Sequence, residues 1–246
     1  MNWSGEGHIL SVKKHGETSA IIDVFTRDQG RHAGLVRGGA GRKMRPVLQP
    51  GNLVGVEWRG RLSEHLGYYV VEPVQTLASG LMEDQLSLAG LNAACAMARE
   101  TLPEREAYPR VFEAFGVLLA NMHDRNIWPA LYVRWEAGLL SAMGYGLDLA
   151  TCVATGDTHN LTHVSPRSGR AVSARAAAPY VDKLLKLPNF MYPDSRGNDL
   201  EISQEDVLNG LRLTGYFLET RVQWGTNRTL PEARARMVEK FTASVR

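Results

Sequence analysis

Over roughly the first 75 residues, apolar side chains come in short bursts of alternating or β-branched character. Past Pro73 the spacing changes to that of a helix. Residues 8–12 and 21–26 are strand-like runs divided by Gly16-Glu17, and Asp28-Gln29-Gly30 signals a turn. Residues 34–37 suggest a third strand. Residues 53–58 alternate in period two until Gly60-Arg61 turns the chain, and 66–71 form a fifth candidate. Between the third and fourth strands, residues 38–46 hold three glycines and a proline, which disfavour regular structure. Five short strands in this length predict a small barrel, and the oligonucleotide-binding barrel is the common nucleic-acid version. Trp58, Tyr68 and Tyr69 fall on these strands as either core or base-stacking side chains. Because neighbouring strand positions face opposite ways, Tyr68 and Tyr69 cannot both be core.

The later pattern predicts helices. Residues 83–101 space Leu86, Leu88, Leu91, Ala94, Cys95 and Ala98 for burial, and Pro103 stops the run. Residues 108–122 repeat the pattern. Pro129 suits the first turn of a helix over 130–143, which Gly144 and Gly146 end. Residues 147–177 look irregular, and 179–187 suggest a short helix closed by Pro188. Ser203-Gln204-Glu205-Asp206 resembles a capping box that opens 207–223, and 231–242 forms a last helix with a basic face. The expected class is α+β: a five-stranded oligonucleotide-binding-like barrel over 1–75, then a mainly helical domain over 76–246.

Charge changes this picture through its distribution, because the net value is only +2. Residues 1–80 carry ten Lys and Arg against seven Asp and Glu, while 81–150 carry five against nine. A local basic excess is the footprint of phosphate binding, although a solvated loop carries one too. Two cysteines allow one disulfide at most, which fits a reducing compartment. With no apolar segment at the N-terminus or of membrane-spanning length, a cytoplasmic protein is expected.

Chemical motifs are sparse. The 38–43 loop has the wrong glycine spacing for a phosphate loop, and Met44 stands where a hydroxyl should follow the lysine. Ser11-Val12-Lys13-Lys14 matches a serine-nucleophile pattern, but on a strand and without its companions. Cys152, His159 and His163 are zinc-ligand types, yet a structural site wants four ligands. No catalytic residue, metal or cofactor is expected, and the chain is read as a non-enzyme.

Several short runs, in order, carry a resemblance. They are Gly16-Glu17-Thr18-Ser19, Phe25-Thr26-Arg27-Asp28-Gln29-Gly30-Arg31, Val36-Arg37-Gly38-Gly39 and Leu48-Gln49-Pro50-Gly51. Arg134-Trp135-Glu136, Gly144-Tyr145-Gly146-Leu147-Asp148-Leu149, Cys152 and Ser165-Pro166-Arg167-Ser168-Gly169 follow. Together they resemble the RecO family of bacterial recombination mediators over most of residues 1–230. Many members hold zinc with four cysteines in a segment that matches 147–177. Here only Cys152 remains, with Thr155, Ser173 and Ala176 at the other positions, so a zinc-finger-like segment without zinc is expected.

The resemblance implies binding of single- and double-stranded DNA, strand annealing, and recombinase loading on DNA coated by single-strand-binding protein. A RecR-type partner and the acidic C-terminal tail of single-strand-binding protein are the implied protein partners, and no membrane is involved. It also implies a bacterial, nucleoid-associated location. The expected DNA-facing cations are Lys13, Lys14, Arg27, Arg31, Arg37, Arg42, Lys43, Arg45, Arg59 and Arg61, with Arg134 for the acidic tail. The main rival is a barrel-containing RNA-binding or translation factor, because phosphate contacts do not separate RNA from DNA.

Overall fold

The computed structural model describes residues 1–246 except 63–64, 82, 193–201, 224–228 and 246. Five strands close a barrel in the order β1-β2-β3-β5-β4. They are β1 (Asn2–His15), β2 (Ser19–Thr26), β3 (Gly30–Val36), β4 (Leu53–Arg59) and β5 (Tyr68–Gln75). This is the expected oligonucleotide-binding arrangement, with longer strands than the apolar bursts suggested. β1 is the clearest case. Its first half pairs with β4 and its second half with β2, with a bulge between Ile9 and Ser11. The polar start of β1 has no strand signature of its own, and pairing with β4 draws it into the sheet.

Alternation decides what enters the core. On β4, Val54, Val56 and Trp58 are buried while Gly55 and Glu57 face outward. Tyr69 points inward at 3% exposure, and its hydroxyl donates to the His32 carbonyl at 3.3 Å. Gly34 on β3 makes room for that ring, since a Cβ there would lie 2.5 Å from Tyr69 Cδ2. The barrel closes where β3 meets β5 in parallel at Leu35–Tyr68, and the Leu35 amide donates to the Gly67 carbonyl at 3.1 Å.

Two helices pack on the barrel. Asp84 caps α1 (Gln85–Thr101) by accepting from the Leu86 and Ser87 amides. Arg125 pairs with Asp84 and, more than any other group, holds its carboxyl well below the usual range. The Cys95 thiol donates to the Ile9 carbonyl at 3.8 Å. Phe112 and Phe115 of α2 (Pro109–Ala120) pack against His8 and Phe25. By packing, the chain therefore divides into Met1–Arg125 with Pro231–Met237, and Asn126–Leu230 with Val238–Arg246. The change of periodicity near residue 75 separates strand from helix in the sequence; α1 and α2 nonetheless belong with the barrel in space.

In the second unit, α3 (Trp128–Ala142) packs on α5 (Gln204–Phe217), and the Thr214 hydroxyl donates to buried Glu136 at 2.5 Å. Trp128, Tyr132 and Trp135 are fully buried. The stretch expected to be irregular is partly ordered. β6 (Leu161–Val164) pairs with β7 (Ala171–Ser173) on one side and β8 (Leu185–Lys186) on the other. The helix expected at 179–187 is replaced by a 3-10 turn, Ala178–Lys183, because Leu185 and Lys186 leave it to pair with Val164 and His163. Short α4 (Ala174–Ala177) precedes that turn. Beyond α5 the chain widens into a π-helical turn, Leu218–Gln223, and α6 (Glu232–Ser244) ends the chain.

Candidate nucleic-acid interface

The segment after β3 is a succession of tight turns. Gly38 adopts φ 72°, the left-handed region that glycine enters without strain. The Gly41 amide then donates to the Gly38 carbonyl at 2.9 Å, and the Met44 and Arg45 amides both donate to the Gly41 carbonyl at 3.1 Å. Leu48 is buried in the barrel core, with Met44 and Val47 half-buried beside it. Asn52, also buried, donates through Nδ2 to the Pro46 and Val47 carbonyls at 2.9 and 3.0 Å. Its Oδ1 accepts the Leu77 amide at 2.8 Å. The Gln49 side chain donates to the Arg45 carbonyl at 2.8 Å, and the Ala40 amide to the Thr18 carbonyl at 2.9 Å. The loop is thus braced from within and tied to the β1–β2 turn.

Its cations stay outside. Arg37, Arg42, Lys43 and Arg45 are all exposed, and among the described residues none of them forms an ion pair. Between this loop and the end of β1 lies a cleft of about 370 Å³. Lys14 and Arg45 line it together with Glu17, Gln49, Val12 and Ala40. Residues about 30 apart in sequence therefore offer positive charge to one concave surface. Lys13 and Arg61 are also exposed and unpaired among the described residues.

Three of the expected cations are engaged elsewhere. Arg27 bonds Glu113 and Asp28, and Arg59 bonds Glu57 at 2.7 Å. Both pairs are exposed and screened, so little holds them. Arg31 differs, because its side chain is only 14% exposed. It bonds Asp23 at 2.6 Å and donates Nε to the Leu102 carbonyl at 3.0 Å. Burial raises the Asp23 carboxyl from its ordinary value, and the Arg31 charge offsets part of that rise. Arg31 is a structural cation, withdrawn from solvent by residues 102–105, which no local sequence signal announces.

In the zinc-finger-like segment the residues do not fit a zinc site. Cys152 is buried and accepts the Ser173 amide at 3.2 Å. Burial pushes its thiol up, but hydrogen bonds from Ser173, Thr155 and Ala154 outweigh that and bring it down to about 6. Thr155 and Ser173 stand where thiolates would be needed, and the Thr155 hydroxyl donates to Asp157 at 2.6 Å. No group of three His, Cys, Asp or Glu among the described residues is placed to hold a metal, so Cys152, His159 and His163 do not converge. Arg134 is the outward member of the Arg134-Trp135-Glu136 run. It donates Nε and Nη2 to the Phe190 carbonyl at 3.1 and 2.5 Å, and its guanidinium lies 5.9 Å from the Phe190 ring.

A closed five-stranded barrel of oligonucleotide-binding order, followed by helices, defines an α+β protein of the oligonucleotide-binding-like barrel class. Family models for the N-terminal and C-terminal parts of recombination protein O match residues 1–77 and 82–230. The chain is 46% identical over 246 residues to the DNA repair protein RecO of Ruegeria sp. (strain TM1040), covering all of both chains. It is 47% identical over 244 residues to that of Methylobacterium nodulans, with 99% of each chain covered. For Caulobacter vibrioides the identity is 47% over 241 residues, 98% of each chain. The chain belongs to the RecO family of recombination and DNA repair proteins. No helix among the described residues is long and apolar enough to cross a membrane.

Proposed function

We propose that this chain binds single- and double-stranded DNA through the barrel, anneals complementary strands, and helps load recombinase on DNA coated by single-strand-binding protein. The reading extends to a RecR-type partner, to the acidic tail of single-strand-binding protein at Arg134, and to work at the bacterial nucleoid without bond chemistry. One observation carries it: Arg45, in a loop whose exposed cations form no ion pair among the described residues, meets Lys14 at a single cleft. Such cations neutralise phosphates whatever the base sequence, as a strand-annealing protein requires. The DNA-facing set is Lys13, Lys14, Arg37, Arg42, Lys43, Arg45 and Arg61, with Arg27 and Arg59 joining if their exposed pairs open; half-buried Arg31 is left out. An arginine suits the terminal carboxylate of the acidic tail through charge-assisted bonding.

The test is annealing of complementary strands coated with single-strand-binding protein, with and without the RecR-type partner, beside affinities for matched DNA and RNA oligomers. Faster annealing together with a DNA preference supports the reading. Annealing at the protein-free rate with tighter RNA binding favours the RNA-binding alternative. Arg134→Ala should weaken binding of an acidic tail peptide several-fold, and unchanged affinity removes that assignment.

A further inference from the structure

We propose that Tyr68 is a base-stacking platform through which the barrel takes unpaired nucleobases as well as phosphates; this deepens the DNA-binding reading above and rests on it. Tyr68 and Tyr69 are adjacent on β5, and the barrel uses them oppositely. Tyr69 fills the core, while Tyr68 faces out with 47% of its surface exposed. An exposed aromatic ring on a strand is ordinarily free to choose rotamers, but here the Arg37 guanidinium lies over the ring, 4.8 Å from its centroid. Arg37 begins the cationic loop, so the same residue borders the ring and the phosphate-facing charge.

The position is rigid and well placed. Tyr68 is the residue at which β5 meets β3, and it also pairs with Arg59 of β4. The β1–β2 turn precedes Ala20, which pairs with Val36 at the end of β3. The β4–β5 connection runs between Arg59 and Tyr68. Arg59 also pairs with Asn2, at the other end of β1 from the β1–β2 turn, so the two segments that leave beside Tyr68 are the 37–45 loop and the β4–β5 connection. Leu62 and Leu66 of that connection are exposed apolar neighbours in sequence, and Val70 is exposed on the same face of β5. An aromatic face beside cations that track a backbone is the arrangement by which single strands are held without sequence preference.

The consequence is selective. In a duplex the base faces are covered by their neighbours, so a stacking contact is open only to unpaired bases. Cations alone do not make that distinction. Tyr68 would therefore supply single-strand preference that the 37–45 loop lacks.

The experiment compares the full-length protein on two single-stranded probes with equal numbers of phosphates. One is an oligothymidylate, the other an oligomer of abasic tetrahydrofuran sites, each read by fluorescence anisotropy across salt. The wild-type protein should bind the thymidylate probe more tightly. Tyr68→Ala should weaken that probe alone, by about 5- to 150-fold for one stacked base, with an unchanged salt slope. Tyr68→Phe should restore wild-type binding, which separates ring stacking from a folding defect. Equal wild-type affinity for both probes, or a thymidylate affinity that Tyr68→Ala leaves intact, overturns the proposal and reduces Arg37–Tyr68 to a surface contact. Binding to neither probe removes the DNA-binding reading itself and this proposal with it.

Discussion

Replacing Arg42, Lys43 and Arg45 together with alanine tests the phosphate interface most directly. The substitution should leave the loop in place. Its turns are closed by backbone amides, the Gln49 side chain grips the Arg45 carbonyl rather than its guanidinium, and Leu48 is the anchor in the core. What changes is charge. Each phosphate neutralised on a single strand contributes a slope of about −0.7 in log affinity against log salt, so three contacts contribute about −2. Electrostatic attraction is largely screened near 1 M salt. At 0.1 M the variant should therefore bind about 100-fold more weakly than the parent, and the two curves should converge as salt rises. The loss should be equal on unrelated sequences, because the loop reads phosphate rather than base edges. Annealing should slow in parallel, since two polyanions approach only when their repulsion is screened. The assay is anisotropy of a labelled oligomer titrated at several salt concentrations. Lys186→Ala serves as the control, because that lysine is paired with Glu205 and belongs to the other unit. A triple variant with parental affinity and parental slope would refute the assignment and leave Lys13, Lys14, Arg37 and Arg61 as the DNA contacts.

Other outcomes follow from the same geometry. Arg31→Ala should cost about 3–5 kcal/mol in denaturant unfolding by stranding Asp23, yet leave the salt slope of the folded protein unchanged; a stable variant with a shallower slope would make Arg31 a DNA contact after all. Gly51 has φ 89°, and a Cβ there would meet Leu91 Cδ1 at 2.5 Å, so Gly51→Ala should destabilise by about 1–3 kcal/mol in the same assay. Burial is the main force holding His8 and His32 below the ordinary imidazole value, against the upward pull of the Gly51 and Ala33 carbonyls. The unfolded chain then takes up protons first, so stability is complete above about pH 6.5 and falls as acid is added through the depressed folded values; a denaturation midpoint constant from pH 7.5 to 5.5 would contradict this. Purified protein should carry well under one zinc per chain by elemental analysis, because Thr155 and Ser173 stand where thiolates would be needed.

The contrast between Arg31 and Arg42 shows where local information stops. Both are arginines in a basic stretch between short strands, and from the chain alone they are equivalent phosphate ligands. Arg42 lies in a glycine-rich turn that stays in water. Arg31 is covered by residues 102–105, about 70 positions away, and becomes half of a buried pair. The zinc-finger-like segment shows the same limit. Its missing thiolates were legible residue by residue, but its three-stranded sheet depends on Leu185 and Lys186 leaving a would-be helix to pair with β6.

The sequence by itself determined the strand-to-helix order, the caps at Ser203 and Gly144, the excess of cations over residues 1–80, and the rule that one of Tyr68 and Tyr69 must face out. These follow from side-chain period, backbone conformational limits and charge counts, all of which act over a few residues. Only the tertiary structure decided which tyrosine turned inward, because that depends on Gly34 clearing space on a strand paired across the barrel. It alone joined Lys14 to Arg45 in one cleft, laid Arg37 over Tyr68, and placed α1 and α2 with the barrel. Each of those outcomes rests on contacts between residues far apart in the chain, and burial and pairing across such separations leave no local trace.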